Sequence, residues 1–488
     1  MCSFFSLRWV FVMNIKKNGT IADIIRVSGS NMLLLLSGIL VGFLLPKIIG
    51  VTDYGYYKTY TLYAGYAGLF HFGLADGIYL MYGGKDYDSL ERNRFRFYSK
   101  VFFCLEAFVS IFVVIFSLLF LSGNMRFIFL MLSLYLIFQN INSYYMEISQ
   151  ATSRFKELSQ RNIIRSVLIS IGIIGLACYK TIIDDNITYK SYIYLFTLII
   201  AFLAFWYIGT YRDITLGECE RYQGGWQEIG AFIKVGFPLM LANLCSSLIL
   251  TLDRQFVNIL FDTDSYAIYA FAYNMLALVT TAVSAISTVL YPKLKQLNEE
   301  TLKESYSKLV TLVLCLVFGC MLVYFPLNAF VSWYLPKYSE SLPIFRIIFP
   351  GLGISSVVTI IMHNYYKALG INFLFFVKSV ITLVISGIAN YIAFSTFKTT
   401  ISISIASIIT MLFWYVFVEW HFIKKHQING TKNFLFMLML IMSFYLCTEI
   451  RVVYISFIAY TVSLVLIVVI FFNKQVKSII RQYVGKNK

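Results

Sequence analysis

The chain is a succession of apolar stretches, each of about 20 residues and parted from the next by a short polar loop, and a stretch of that length with few charges is what a helix needs to cross a bilayer. About fourteen spans can be read on this pattern: 25–50, 56–81, 98–122, 127–149, 163–183, 191–211, 236–261, 266–291, 307–333, 343–368, 370–395, 399–422, 433–449 and 452–472. In hydrocarbon every backbone N–H and C=O must be satisfied inside the protein, so the expected fold is all-α, a polytopic membrane protein. With 59% hydrophobic and 13% charged residues, the composition departs from that of a water-soluble domain in the same direction.

The formal net charge of +16 does not carry a nucleic-acid reading. The Lys and Arg residues lie in short loops between apolar segments, where the positive-inside rule accounts for them. Placing both termini in the cytoplasm puts most of the 40 basic residues at inner ends. The eight cysteines are scattered without CxxC or Cys/His spacing, so neither a disulfide framework nor a metal site is expected. No coenzyme motif is present either. At the N-terminus, Cys2 to Val12 is an apolar run broken by Arg8, too short to span and without a small-residue cleavage site. Met13, followed by Lys16 and Lys17, reads as the working start, and residues 1–12 are expected to be absent from the natural protein or disordered.

Self-comparison finds a repeat. One constant offset aligns Asn31, Tyr54, Tyr57 and Tyr79 with Asn243, Tyr266, Tyr269 and Tyr291; a slightly smaller one aligns Tyr98-Ser99-Lys100 with Tyr306-Ser307-Lys308, and a larger one aligns Tyr144-Tyr145 with Tyr365-Tyr366. Each unit has an even number of spans, so the copies share an orientation and are related by an axis along the membrane normal. The expected organisation is a cytoplasmic leader (1–24), a first six-helix lobe (25–211), a cytoplasmic linker (212–230), a second six-helix lobe (231–422), two extra helices (433–472) and a basic tail (473–488).

The stretch from Gly236 to Phe261 is anomalous, because it is long and apolar enough to span yet carries Asp253 and Arg254 in its outer half. Read as one helix, it places Asn243, Ser247, Thr251, Arg254 and Asn258 within an arc of about 80°. That arc is a wetted face, and it predicts that Arg254 looks into a hydrated cavity. Asp253 falls roughly 120° from the centre of the arc and is a poor internal partner for the arginine. The ordinary alternative is that Arg254 snorkels to the headgroups on its long stem, which leaves the other four polar residues unexplained.

The run Pro46-Lys47-Ile48-Ile49-Gly50, then Asp53-Tyr54-Gly55-Tyr56-Tyr57 and Phe72-Gly73-Leu74, resembles the first two spans of Wzx-type polysaccharide flippases. The second half resembles them in Gly236-Phe237-Pro238, Asp253-Arg254, Ala267-Ile268-Tyr269-Ala270 and Tyr291-Pro292. Ala267 departs from the pattern, standing where the first half has Gly55. The resemblance covers nearly the whole chain. It implies membership of the multidrug/oligosaccharidyl-lipid/polysaccharide exporter superfamily, with two lobes around a central cavity in a bacterial inner membrane. It also implies movement of polyprenyl-diphosphate-linked oligosaccharide to the outer leaflet by alternating access. Lipid-linked glycan, membrane lipids, a proton or sodium ion and the polysaccharide polymerase machinery are the implied partners.

A diphosphate cannot cross hydrocarbon unaided, so such a carrier needs a cationic chamber, and Arg254 can supply the charge. Lys47 and Lys367 lie near span ends, where snorkelling explains them. Glu106, Asp76 and Asp253 are candidates for ion coupling, Glu106 first because it sits about 12 Å into its span at 1.5 Å per residue. A pair between Glu106 and Lys100 is the competing reading. Gln139, Asn140 and Asn142 form a polar patch that interhelical hydrogen bonds would equally explain. Among the tyrosines, Tyr57 and Tyr269 are candidate sugar contacts, against the ordinary reading of an interfacial aromatic belt. Gly65, Gly68, Gly73 and Gly77 point to close helix packing. Three alternatives stay open: a drug/cation antiporter, for which residues 27–45 lack the expected acid; a lipid-linked peptidoglycan precursor flippase; and a polysaccharide polymerase or ligase, for which the short outer loops offer no acid/base group.

Overall fold

The computed structural model describes residues 18–182, 187–218, 224–294, 299–426 and 430–484. The expected start at Met13 and the run before it lie outside the described residues, which form helices and turns with no strand. Twelve of the described helices are long and apolar enough to cross a membrane. Of the expected spans, 56–81 and 266–291 are not among those twelve.

Segment 56–81 is not one helix. Helix α1 (Asn18–Ile48) is followed by α2 (Val51–Ala64), a 3-10 turn at Ala67–Leu69, and then α3 (Leu74–Tyr82). Phe72 and Gly73 have φ of 50° and 78°, and Gly73 stands at the N-cap of α3. Two successive left-handed residues cannot continue a right-handed helix, which is why the ladder stops.

The chain packs as two units, one of residues 1–44 with 64–238, the other of 45–63 with 239–488. In the first, α5 (Gly123–Ala151) packs against α3, α4 (Arg92–Phe120) and α7 (Tyr189–Thr210), α6 (Phe155–Ile182) packs on α7, and the short α8 (Arg212–Thr215) packs on α4. A cluster of buried aromatics that includes Phe95, Tyr98, Phe102, Tyr144, Tyr145, Tyr207, Tyr211 and Phe232 forms one core. The hydroxyls buried with these rings find partners: Tyr144 with Ser99 at 3.1 Å, Tyr145 with Thr215 at 2.6 Å and Tyr211 with Ser149 at 2.7 Å. The start of α9 (Gly225–Ile249) crosses α3 with backbone almost on backbone. A Cβ on Gly77 would lie 2.2 Å from the Phe232 carbonyl oxygen, and one on Gly236 would lie 1.9 Å from that of Gly73. Gly68, by contrast, is exposed, with only His71 Nε2 within 4 Å, and Gly65 is exposed too.

In the second unit the short helix α10 (Leu252–Leu260) follows α9 and packs against α11 (Thr263–Leu294), α17 (Asn372–Phe397) and α18 (Thr400–His426). Between α11 and α17 lie α12 (Glu299–Cys320), α13 (Tyr324–Tyr334), α14 (Ser341–Ile348), α15 (Gly351–Ser356), a π-turn at Val357–Met362 and α16 (His363–Ala368). The chain ends in α19 (Thr431–Thr448) and α20 (Val453–Val484), which pack together. Packing places residues 45–63, read from sequence as part of the first lobe, with the second unit. The reason is a set of specific contacts: Asn258 donates to Thr59 Oγ1 at 2.7 Å, Gln255 donates to the Tyr63 hydroxyl at 3.0 Å, and Tyr266 donates to the Lys58 carbonyl at 3.3 Å. Gly55 meets Thr263, whose carbonyl oxygen would lie 2.4 Å from a Cβ at 55.

Candidate functional site

The helix expected from Gly236 to Phe261 is interrupted. Helix α9 ends at Ile249, Leu250 and Thr251 form a turn, and α10 begins at Leu252. The arc that placed five polar residues on one face therefore does not apply across the break. The cause is local competition for backbone groups by Ser, Thr and Asp side chains. Thr251 turns its hydroxyl back to the Ser247 carbonyl at 3.0 Å, and the Asp253 carboxylate accepts the Arg254 backbone N–H at 2.7 Å.

The break frees a carbonyl, and Arg254 fills it. The Arg254 guanidinium donates to the Leu250 carbonyl at 3.1 Å and stacks over the Tyr273 ring, 4.4 Å from its centroid. Its Nε is buried without a hydrogen-bond partner among the described residues. Tyr273 in turn donates its hydroxyl to Asp253, as does Tyr269 at 2.7 Å. Asp253, only 2% exposed, is thus committed to two phenols and a backbone amide. It holds the arginine's backbone N–H and the ring on which the guanidinium lies, but not the guanidinium itself.

Lys58, on α2, is the residue that sequence reasoning passed over. Helix α2 packs along α10 through the Asn258–Thr59 and Gln255–Tyr63 hydrogen bonds, which puts Lys58 and Arg254 on neighbouring helices. The Lys58 amine stands 5.2 and 5.4 Å from the centroids of Tyr54 and Tyr57, and donates to Asn274 Oδ1 at 3.4 Å. Among the described residues neither Lys58 nor Arg254 forms an ion pair with a carboxylate. The signal was available, since Lys58 is the only Asp, Glu, Lys or Arg residue between Asp53 and Asp76, but the tyrosines around it read as an interface.

Other expected residues are placed differently. Asn243 and Ser247 are exposed on α9, and Asn258 is tied to Thr59. Tyr57 and Tyr269 are buried, at 9% and 0% exposure, so neither presents a ring face for a sugar, and with Tyr54, Tyr60 and Tyr266 they pack inside the protein rather than in a belt. Lys47 is exposed and anchored, donating to the Tyr334 carbonyl at 2.8 Å.

In the first unit Glu106 is fully buried and accepts from Asn140 Nδ2 at 2.8 Å, and the same nitrogen reaches the Ala67 carbonyl at 3.0 Å. The pairing with Lys100 does not form, because Lys100 is exposed. The patch at 139–142 disperses: Asn140 serves Glu106, Asn142 donates to the Ile200 carbonyl at 3.0 Å, and Gln139 donates to Ser143 at 3.5 Å. Asp76 lies 3.8 Å from His71 Nδ1, but that nitrogen accepts the Gly73 N–H at 3.2 Å. An imidazole accepting there carries its proton on the other nitrogen, so the contact is not an ion pair. Sequence reasoning also missed two carboxylates held by repeat-related tyrosines: Tyr98 donates to Glu228 in the first unit, and Tyr306 donates to Glu419 at 3.0 Å in the second.

Twelve span-length helices among the described residues, with Arg254 at a helix break and Lys58 on the neighbouring α2, have the build of a membrane transporter. Residues 21–298 match the polysaccharide biosynthesis protein family, so the chain belongs to that family, as the Wzx-type resemblance implied. Among solved structures it is similar to the lipid II flippase MurJ in an inward closed conformation, at 14% identity and a TM-score of 0.71, covering 93% of this chain and 100% of that one. It is also similar to an inward-facing multidrug resistance MATE family transporter of the MOP superfamily, at 15% identity and a TM-score of 0.54, covering 84% and 99% of the two chains. A mutant form of the Vibrio cholerae MATE transporter VcmN gives 13% identity and a TM-score of 0.54 over 84% and 99%. These likenesses show a shared fold. No curated protein sequence matches the chain.

Proposed function

We propose that the protein flips polyprenyl-diphosphate-linked oligosaccharide from the inner to the outer leaflet of a bacterial cytoplasmic membrane by alternating access, for surface polysaccharide biosynthesis. The observation that carries this reading is the Lys58–Arg254 pair. The two cations come from neighbouring helices, and Asp253, beside Arg254 in the chain, is already occupied by Tyr269 and Tyr273. A bound diphosphate would compensate both. A guanidinium presents two N–H groups to one phosphate and lysine adds a point charge beside it. Both termini are cytoplasmic in this reading, and a proton or sodium gradient drives the cycle.

The deciding experiment is a compartment-resolved assay of lipid-linked glycan in cells lacking the protein, complemented with wild type, Arg254→Ala or Arg254→Lys. Wild type should clear the inner-leaflet intermediate, Arg254→Lys should clear part of it, and Arg254→Ala should leave it at normal protein abundance. Normal export by a stably inserted Arg254→Ala variant would overturn the reading. Accumulation of peptidoglycan precursor in its place would transfer the protein to that substrate, and loss of drug resistance with unchanged glycan would make it a cation antiporter. Cysteines placed at 243 and 247 should react with a water-soluble thiol reagent, whereas one at buried Val257 should not.

A further inference from the structure

Helices α17 and α18 line an open cavity of about 500 Å³ bordered by Lys378, Phe417, Trp420, His421, Lys424 and Lys425. It takes three lysines from two helices and no acidic residue. Lys378 forms its buried floor, with a side chain 9% exposed whose amine donates to the Phe417 carbonyl at 2.5 Å and sits 4.8 Å from the Phe417 ring centroid. An ammonium has three donors, and only this one is used among the described residues. Lys424 and Lys425 are exposed at the rim. The neighbouring carboxylate Glu419 is turned away, bonded to Tyr306 and Tyr415 at 3.0 and 3.2 Å.

Two ordinary explanations fall short. Cations in the last turn of a helix answer its partial negative charge, which accounts for Lys424 and Lys425 but not for Lys378, which comes from another helix. Snorkelling accounts for a single buried lysine but not for three converging on one concavity. Like charges gathered there repel, and an anion between them relieves that. The outer flank of α18 carries exposed Phe413, Val416, Trp420 and Ile423, an apolar face of the kind that meets lipid tails. Trp420, 59% exposed, sits at the end of that face, as an indole does at headgroup level.

We propose that this cavity binds the head-group phosphate of an anionic membrane lipid, independently of the transported substrate. Lys378 receives the phosphate, Lys424 and Lys425 close over it, and the acyl chains run along the exposed face of α18. On the charge-based orientation this end faces the cytoplasmic leaflet, whose anionic lipids attract basic clusters.

Native mass spectrometry of the full-length protein tests this, titrated with phosphatidylglycerol and in parallel with phosphatidylcholine. Phosphatidylglycerol should bind in preference. The exposed pair Lys424→Gln/Lys425→Gln should weaken it about 30-fold, and adding Lys378→Gln about 150-fold in all, roughly fivefold for each lysine near an anionic head group. Lys337→Gln/Lys398→Gln, outside the cavity, should change nothing. Equal retention of phosphatidylglycerol by wild type and the Lys424/Lys425 variant, or equal binding of phosphatidylcholine, would overturn the proposal. Displacement of the lipid by millimolar inorganic phosphate would overturn it too, by showing a site for the free ion.

Discussion

Tyr269 donates its hydroxyl to Asp253 across 2.7 Å, in a site where the carboxylate is 2% exposed and the phenol fully buried. Tyr273 reaches the same carboxylate oxygen, and its ring lies under Arg254. Asp253 is therefore a positioning residue for the arginine, acting through a tyrosine from one position away in the chain.

Separating the hydroxyl of Tyr273 from its ring tests that relay. Tyr273→Phe should lower stability by about 1–3 kcal/mol, the scale for depriving a buried acceptor of its donor, while retaining most glycan export because the ring remains. Tyr273→Leu should lose export well beyond that stability cost, and Asp253→Asn should be milder than Arg254→Ala. Thermal unfolding and export, measured side by side, check it. Equal export by Tyr273→Phe and Tyr273→Leu would remove the ring from the account.

If Lys58 and Arg254 share one anion, their substitutions are not additive. Lys58→Ala and Arg254→Ala should each reduce export strongly, and the double variant should be no worse than the more severe single. Initial export rates at matched abundance give the cycle. Losses that multiply would mean that the two cations act separately.

The crossing of α3 and α9 has no room for a methyl group. Gly77→Ala and Gly236→Ala should each cost about 1–3 kcal/mol through overpacking against backbone that cannot yield, and should lower protein abundance. Gly68→Ala, with no atom nearer than 3.8 Å to the added Cβ, should stay within roughly 0.5 kcal/mol, as surface substitutions do. Thermal unfolding of the purified variants separates the two classes.

Glu106 and Asn140 form a buried acid–amide pair. Glu106→Gln keeps an acceptor for Asn140, so abundance should stay normal. If the acid couples an ion to transport, the pH dependence of export should flatten. Glu106→Leu should also destabilise, by about 1–3 kcal/mol, because it leaves the amide without its partner. Full export by Glu106→Gln with an unchanged pH profile would exclude Glu106 from coupling.

Much of the architecture was legible because span length and apolarity are local properties: of the expected spans, all but 56–81, 236–261 and 266–291 recur near their expected bounds among the twelve, and 236–261 is represented by the helix Gly225–Ile249. Segment 56–81 failed because the positive φ at Phe72 and Gly73 accompanies the seating of α3 against α9, a contact between residues far apart in the chain. Gly73 and Gly77 were rightly read as packing glycines, while Gly65 is exposed and Gly68 has only His71 Nε2 within 4 Å. The repeat-aligned Tyr98 and Tyr306 each donate to a carboxylate, Glu228 and Glu419, whereas Tyr144 meets Ser99 and Tyr365 meets Ser305 rather than the aligned Ser307.

The candidate site divides along the same line. From sequence alone, Arg254 stands out as a cation at membrane depth, and burial cost makes any such residue conspicuous wherever it points. Its surroundings are a tertiary matter. A buried polar group takes whichever partner the fold delivers, so only the three-dimensional arrangement could assign Asp253 to Tyr269 and Tyr273, bring Lys58 beside Arg254, and turn Tyr57 and Tyr269 inward. The helix break lies between the two levels: Thr251 and Asp253 supply competing hydrogen bonds that sequence displays, but whether they defeat the ladder depends on α10 finding its seat against α11, α17 and α18.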